Sequence, residues 1–344
     1  QVFSWRAVFW INFPIALISI ILAISSVPTW RRREKLNIDY LGFFISVIFI
    51  SGFVLGFMEA PNWGWTSLPI MGLFLLSIIS LITFIGWEKK IPHPLVELTL
   101  FKNLTFTTLF SVLLIIQAVA IVFVFLAIFL QNVLHYSPLM AGLLLLPAMV
   151  PIMLMAPVGG HLRDKYGPTL PMFCGALLVV LSLIWIAIFS HNRGYAWLFP
   201  GLLVYGIGMP LILSGIMATV MNMVNAQQRG MASAIFNCAR QFGNTIGLAL
   251  LTGLLASVNK WQLNSFLHHS PVPLSRLKEQ QIDGLLVQSD QAMKAIAHLS
   301  LAHIELLKTA ALNAYTNAFS MTLLAAAILA FLSLFLILKI PRKQ

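Results

Sequence analysis

Charge is what this sequence has least of. Only 9% of its 344 residues are Asp, Glu, Lys or Arg, where soluble domains carry about 25%. A chain so poor in charge cannot cover a water-facing surface, which excludes an ordinary soluble domain. Acid is the scarcer sign, with ten Asp and Glu against 21 Lys and Arg and a net charge of +11. In a soluble protein that excess would point to nucleic acid. Here the basic residues sit in short loops between apolar runs, so no nucleic-acid partner is expected. Cysteine is almost missing: Cys174 and Cys238 both lie inside apolar runs. Their spacing excludes a disulfide framework or a zinc site and leaves them as packing residues. With no nucleophile–base pair, metal-ligand set or phosphate loop, neither enzymatic activity nor a cofactor is expected.

What the chain has in abundance is hydrocarbon, 59% of its residues. Nine apolar runs cover residues 8–28, 40–58, 67–87, 105–131, 138–160, 168–190, 197–221, 231–257 and 316–338. At about 1.5 Å per residue each crosses the roughly 30 Å of a bilayer's hydrocarbon. They are apolar all round, whereas a helix at the surface of a soluble protein shows a polar face. The fold class is therefore all-α, a polytopic membrane protein with the lipid bilayer as its surroundings.

Basic residues alternate sides along the chain. One set of connections holds Arg31, Arg32, Arg33, Lys35, Lys89, Lys90, Lys102, Arg163, Lys165, Arg229, Lys339, Arg342 and Lys343. The other holds Arg6 and Arg193, with its remaining cations in one long connection after Ser257. Long connections count little in the positive-inside bias. The Arg163 connection and the C-terminus are thus expected in the cytoplasm, and the first residue outside. The chain opens on Gln1 with no basic, cleavable leader. An outside start with no leader suggests that further spans precede it. The long connection, 258–315, is expected to form one or two amphipathic helices against the membrane face or the bundle, from the three- and four-residue recurrence of Ile282, Leu285, Leu286, Ile296, Leu299, Ile304 and Leu307. His268, His269, His298 and His303 in it lack a facing metal-ligand spacing and read as solvated.

Between the fifth and sixth runs lies a charged segment bracketed by glycine, Gly159-Gly160-His161-Leu162-Arg163-Asp164-Lys165-Tyr166-Gly167-Pro168, expected as a tight polar hairpin. Gly160, Asp164 and Gly167 match the pattern Gly-x-x-x-Asp-x-x-Gly, which resembles the cytoplasmic-loop motif of the major facilitator superfamily. Four further segments resemble its fourteen-span drug:proton antiporters, in order: Trp5-Arg6-x-x-Phe9-x-Ile11-Asn12-x-Pro14, Asp39-Tyr40-x-Gly42, the segment from Pro94 to Asn103, and Arg229-Gly230-Met231-Ala232-Ser233 with Asn237, Arg240, Gln241, Gly243 and Gly247. The resemblance implies that the nine runs are the sixth to fourteenth spans, with the first five, including the family's antiporter motif, missing from this chain. It divides the chain at 1–35 (last span of the N-terminal half and a basic linker), 36–90 (an inserted pair of spans), 91–104 (a cytoplasmic linker) and 105–344 (a C-terminal six-helix half). The implied function is proton-coupled export of amphipathic drugs or other small molecules from a bacterial inner membrane. The missing half is expected in cis, with small-molecule substrate and protons as partners. Two other readings stand beside it: export of one specific metabolite, such as a siderophore or amino acid, and a non-transporting membrane fragment or assembly partner.

Polar residues within the apolar runs are the candidates for chemistry. Ser233, Asn237, Arg240, Gln241 and Asn244 recur at helical spacing on one stripe. Arg240 lies ten residues past Gly230, about 15 Å deep and near mid-bilayer. An arginine there costs about 2.5–3.5 kcal/mol on insertion scales, so it must face water, a carboxylate or backbone carbonyls. The stripe reads either as lining a central cavity or as tying helices together. Gly243 and Gly247 permit close packing. Gln117 carries the same two readings. Gly206, Gly208 and Pro210 read as a hinge or as packing. For Gly160, Arg163, Asp164 and Gly167 the resemblance implies a cytoplasmic gate, with Asp164 bonding the next helix start and nearby arginines. The rival is plain topology-setting charge. All ten acids fall at span ends or in loops, with Glu59 the nearest to a buried one. A proton carrier is therefore expected in the missing half. Phe106, Phe110, Phe123, Phe125, Trp185 and Phe236 are candidate apolar walls for substrate or ordinary packing residues.

Overall fold

The computed structural model describes residues 10, 12–26, 39–92, 94–269 and 301–340. The expectations for Arg6, for Arg31 to Lys35, for most of the long connection (including His298) and for Arg342 and Lys343 lie outside the described residues. The chain divides into two units at Asp39/Tyr40. The first contains α1, Asn12–Ser26, an apolar helix whose Ser19 and Ser25 hydroxyls donate to the carbonyls of Ile15 and Leu22. This is the described part of the first expected span.

The second unit is helical, and eight of its helical segments are long and apolar enough to cross a membrane. It opens with the hairpin α2 (Tyr40–Trp63) and α3 (Leu68–Glu88). Gly64, at φ +86°, ends α2 in the left-handed conformation that a side chain resists, and Pro69 starts α3 where its missing N–H is harmless. A 3₁₀ turn, Leu98–Lys102, leads to α4, Leu104–Ala120. Asn103 caps α4, its Oδ1 accepting from the N–H groups of Thr105 (2.9 Å) and Phe106 (3.4 Å). A one-residue break at Ile121 separates α4 from α5, Val122–Asn132, within one span. The next span is likewise broken, into α6 (Pro138–Leu144) and α7 (Leu146–Tyr166). The break follows from Pro147, which has no N–H to give its own i−4 carbonyl; Leu145 tightens to a three-residue bond with Gly142 instead. Then come α8 (Thr169–Phe189), a 3₁₀ turn at Ser190–Asn192, α9 (Tyr195–Met223), α10 (Arg229–His269) and α11 (Leu301–Leu338).

Helix α9 is the centre of the packing. It lies against α8 on one side and α7 on the other, while α11 packs on α8, and α10 packs on α4 and α11. In hydrocarbon no hydrophobic effect drives helices together, so close approach through small residues carries the association. Gly201, Gly208 and Gly215 recur every seven residues on the side of α9 facing α8. A Cβ at Gly208 would stand 2.7 Å from the Gly175 carbonyl oxygen, and one at Gly175 would stand 2.6 Å from that of Gly208. On the α7 side, a Cβ at Gly206 would come within 2.3 Å of the Ala148 carbonyl oxygen. Ser182 adds a buried bond from its hydroxyl to the Gly201 carbonyl, 2.7 Å.

Two expectations are corrected. Residues 159–166 are not a turn. They form the last two turns of α7, and the connection narrows to Gly167, at φ +80°, and Pro168. Nothing in Gly159-Gly160 halts the helix, because Gly159 is held against Ser214 of α9. The long connection also does not begin at 258 or end at 315. Helices α10 and α11 carry on through these ends, to 41 and 38 residues, or roughly 60 Å each at 1.5 Å per residue. The continuations themselves, 258–269 and 301–315, contain no Gly or Pro. They pack together, burying Leu263, Leu307, Ala311 and Ala314 and joining Asn317 Nδ2 to Gln262 Oε1 at 3.0 Å.

Gly206→Ala is expected to destabilise the bundle by about 1–3 kcal/mol, the usual cost of an added methyl in a filled site. Gly72→Ala, where a Cβ meets nothing within 4 Å, is expected to leave thermal unfolding in detergent unchanged. Equal melting of both variants would remove the close-approach account.

Candidate functional site

Helix α10 positions the polar stripe. One face of the helix is occupied: Phe236 and Ala239 are fully buried, and Gly243 and Gly247 let α4 approach so closely that Cβ atoms there would stand 2.4 Å and 2.3 Å from the carbonyl oxygens of Leu114 and Ala118. Asn237, Arg240 and Gln241 are exposed on the adjoining face, with Asn244 and Ser233 half-buried beside them. No carboxylate among the described residues pairs with Arg240. The stripe thus forms a donor-rich surface on the flank of a tightly packed set of helices. Gln117 is not part of that surface. It is buried on α4, its Cβ pressed toward Gly243.

Arg163 and Asp164 sit in the final turn of α7. The Arg163 Nε and Nη2 both donate to Asp164 Oδ1, at 2.9 and 2.5 Å, in an exposed pair. Asp164 is thus engaged by its chain neighbour. Gly160 has open space where a Cβ would go, and Gly167 caps the helix by donating its N–H to the Arg163 carbonyl, 2.8 Å. The motif therefore presents a carboxylate and two cations, Arg163 and Lys165, at a helix end with a bare glycine face beside them. Gly206, Gly208 and Pro210 are all buried in α9, which runs through them as continuous helix. The two glycines serve close contact with α7 and α8.

Of the aromatic candidates, Phe106, Phe125 and Phe236 are core residues. Phe123 meets Tyr205 edge-on at 4.6 Å, and Trp185 donates to the Trp197 carbonyl. Phe110 alone among them lines a cavity, of about 610 Å³, between the α2–α3 hairpin, α4 and α10. Cys238 lines the same cavity and Cys174 is exposed, so neither cysteine is a core packing residue.

Three features escaped sequence reasoning. Among the described residues the buried acid is Glu88, while Glu59 is half-buried: Glu88, at the end of α3, is 4% exposed and accepts from the Val96 N–H at 3.3 Å. Its signal was the Pro-containing segment 91–96, able to fold back over the helix end. Second, the segment before α4 is clasped to the start of α10. Gln228 Nε2 donates to Glu97 Oε2, Thr99 Oγ1 donates to Glu97 Oε1 at 2.9 Å, and the Glu97 N–H donates to Met231 Sδ at 3.0 Å. Third, at the opposite end the turn after α8 is tied to α11, with His191 Nε2 and Asn317 Oδ1 sharing a hydrogen bond of 2.8 Å and Arg193 donating to Asn313. No local pattern pairs residues 120 or more positions apart, as in these last two sets.

A bundle of long apolar helices joined by short turns defines a multi-pass membrane protein. Residues 1–248 match the family model of the Major Facilitator Superfamily, and the chain belongs to that family. It is 29% identical over 275 residues to the multidrug resistance protein Stp of Mycobacterium tuberculosis, covering 79% of this chain and 51% of Stp. To the tetracenomycin C resistance and export protein of Streptomyces glaucescens it is 27% identical over 261 residues, covering 74% and 48%. To the multidrug transporter protein MdtP of Bacillus subtilis it is 24% identical over 350 residues, covering 97% and 64%. The chain thus spans about half the length of the first two relatives. A bacterial homolog of the human lysosomal transporter Spinster, solved in an inward-facing and occupied conformation, shares the fold, with a TM-score of 0.52 at 14% identity over 86% of this chain and 66% of that one.

If the stripe borders water, single cysteines at 237 or 241, in a background with Cys174 and Cys238 replaced by Ser, are expected to react with a water-soluble maleimide. Cysteine at the buried position 239 is expected to react at least about tenfold more slowly, since the thiolate requires water. Equal, slow labelling at all three positions would mean that the stripe faces lipid.

Proposed function

We propose that these spans supply the C-terminal half of an exporter of amphipathic small molecules, working in a bacterial inner membrane with the Arg163 end in the cytoplasm and driven by proton entry. The observation that carries this reading is the polar stripe Asn237–Arg240–Gln241–Asn244, exposed at its first three residues, on a helix whose neighbouring face packs closely against α4. An unpaired arginine at that depth is held at a cost unless it meets water or an anionic or polar ligand. Transporters of this architecture bind substrate near the bilayer midplane between two halves. In this role Arg240 supplies a fixed positive charge, and the two asparagines and Gln241 supply hydrogen bonds to the polar part of the substrate. Gln117, behind Gly243, holds the stripe's backbone in register. Relatives named for multidrug resistance and for export support the amphipathic substrate class.

Asp164 acts as a lock in this reading. Its pair with Arg163 leaves one carboxylate oxygen for a helix start or cation across the gate, and rocking of the halves breaks that contact. The group that carries the proton lies outside these spans, whose acids sit at helix ends.

Arg240→Ala in the intact transporter is expected to lower the efflux rate of a cationic dye by about tenfold or more, matching loss of a charged hydrogen bond of ~1.5–3 kcal/mol, with membrane insertion unchanged. Normal efflux would remove the cavity role. Asp164→Asn is expected to slow turnover by about tenfold, ~1.4 kcal/mol in barrier, at unchanged substrate affinity. A change in affinity without a change in turnover would exclude the lock. A substrate panel in cells with and without the gene separates a broad exporter from one serving a single metabolite.

A further inference from the structure

The cavity between the α2–α3 hairpin and helices α4 and α10 is separate from the polar stripe. Its lining residues on α10, among them Ala234, Cys238 and Phe242, occupy the helix face next to, not on, the Arg240 stripe. At about 610 Å³ it is large enough for a small-molecule ligand. Its walls are two aromatic clusters. Phe49 and Phe53 of α2 meet Phe242 of α10 at 5.6 and 5.2 Å, and Phe101 meets Phe110 at 5.4 Å. Polar groups that would orient a drug-like ligand are lacking. The Ser46 hydroxyl is already spent on the Phe43 carbonyl at 2.7 Å, and Cys238 offers only a weak thiol. Apolar cavities also do not hold water. A space of this kind at membrane depth is filled by hydrocarbon.

Charge identifies which hydrocarbon. The cavity is floored by the segment before α4, through Leu95, Val96, Leu98 and Phe101. At this same end the exposed cations Lys89 and Lys90 follow the lining residue Ile85 by about one helical turn, Lys102 adjoins Phe101, and Arg229 precedes Met231 by two positions. Of the described acids at this end, Glu88 is buried beneath Val96, Glu97 is clasped by Gln228 and Thr99, and Asp39 at the foot of α2 is half-buried, so the four cations outnumber and outreach them. An apolar chamber with a basic rim is complementary to an acyl chain under an anionic headgroup. We propose that this cavity binds one anionic phospholipid, with an acyl chain between the hairpin and the six-helix half and the phosphate among Lys89, Lys90, Lys102 and Arg229. The bound lipid completes the seam that α2 makes with α10 and so fastens the hairpin to the half. This site is independent of the export reading, and its test uses no transport assay.

The experiment is photo-crosslinking of the purified 344-residue chain in lipid nanodiscs, with phosphatidylglycerol or phosphatidylcholine carrying a diazirine near the acyl-chain end. Adducts are expected on peptides containing Phe49, Phe53 and Phe242, with phosphatidylglycerol preferred at least about fivefold, consistent with attraction of basic clusters for anionic lipid. Ala234→Trp fills the chamber and is expected to abolish these adducts. Cys238→Phe does the same by a smaller change and serves if the tryptophan variant misfolds. Replacing Lys89, Lys90 and Lys102 by Gln is expected to remove the preference for phosphatidylglycerol while adducts with phosphatidylcholine persist. Undiminished adducts in both filling variants, or equal labelling by the two lipids in the unaltered chain, would overturn the proposal. So would displacement of the lipid by a cationic dye at micromolar concentration, which would make the cavity a drug site.

Discussion

The structure depends on how near three helices can come without water to press them together. Lipid tails solvate a leucine surface as well as another helix does, so helices associate only where backbones approach closely enough for dispersion and polar contact to win. Gly206, Gly208 and Gly215 on α9, with Gly175 on α8, provide that approach. Gly243 and Gly247 repeat it between α10 and α4. The remaining apolar side chains fill what these contacts leave, and Phe129 stacked on Phe319 at 4.5 Å joins α5 to α11 in the same core. Every such contact fixes a helix rotation, and a rotation fixes which residues are left facing out.

That is how a packing device leaves a polar face exposed. With Gly243 and Gly247 against α4, Asn237, Arg240 and Gln241 are left exposed among the described residues. A polar stripe that turned inward would have had to find partners in the core, as Ser182 and Ser320 do through backbone carbonyls. The stripe did not, and its arginine is the most expensive residue in the membrane to leave without a purpose. The clasp of Glu97 to Gln228 anchors the foot of the same helix, so α10 is held both at its glycines and at its start.

The α2–α3 hairpin follows a different rule. Within itself it uses glycine, with Gly52 against Ser77 and Gly56 against Phe74. Toward α10 it uses phenylalanine rings, which hold backbones apart. Glycine seams close and aromatic seams leave space. The cavity lies at the aromatic one, which is the physical reason it exists there and not beside α9.

Composition and run length alone determined that this chain is a set of apolar helices in a bilayer, because an uncharged run of twenty residues has few other stable surroundings. The glycine-bracketed segment, in register with four further segments along the chain, pointed to the family. Helix ends were less legible. The charged residues 161–166 read as a turn but extend α7, and the ends of the long connection read as separate pieces but extend α10 and α11, since polar composition marks exit from the membrane and not the end of a helix. Only tertiary structure decided that Gln117 is buried while Asn237 and Gln241 are exposed, that Glu88 and not Glu59 is the buried acid, and that Glu97 meets Gln228. Each depends on which face of one helix meets another far away in sequence, and periodicity within a helix that is apolar all round carries no record of that choice.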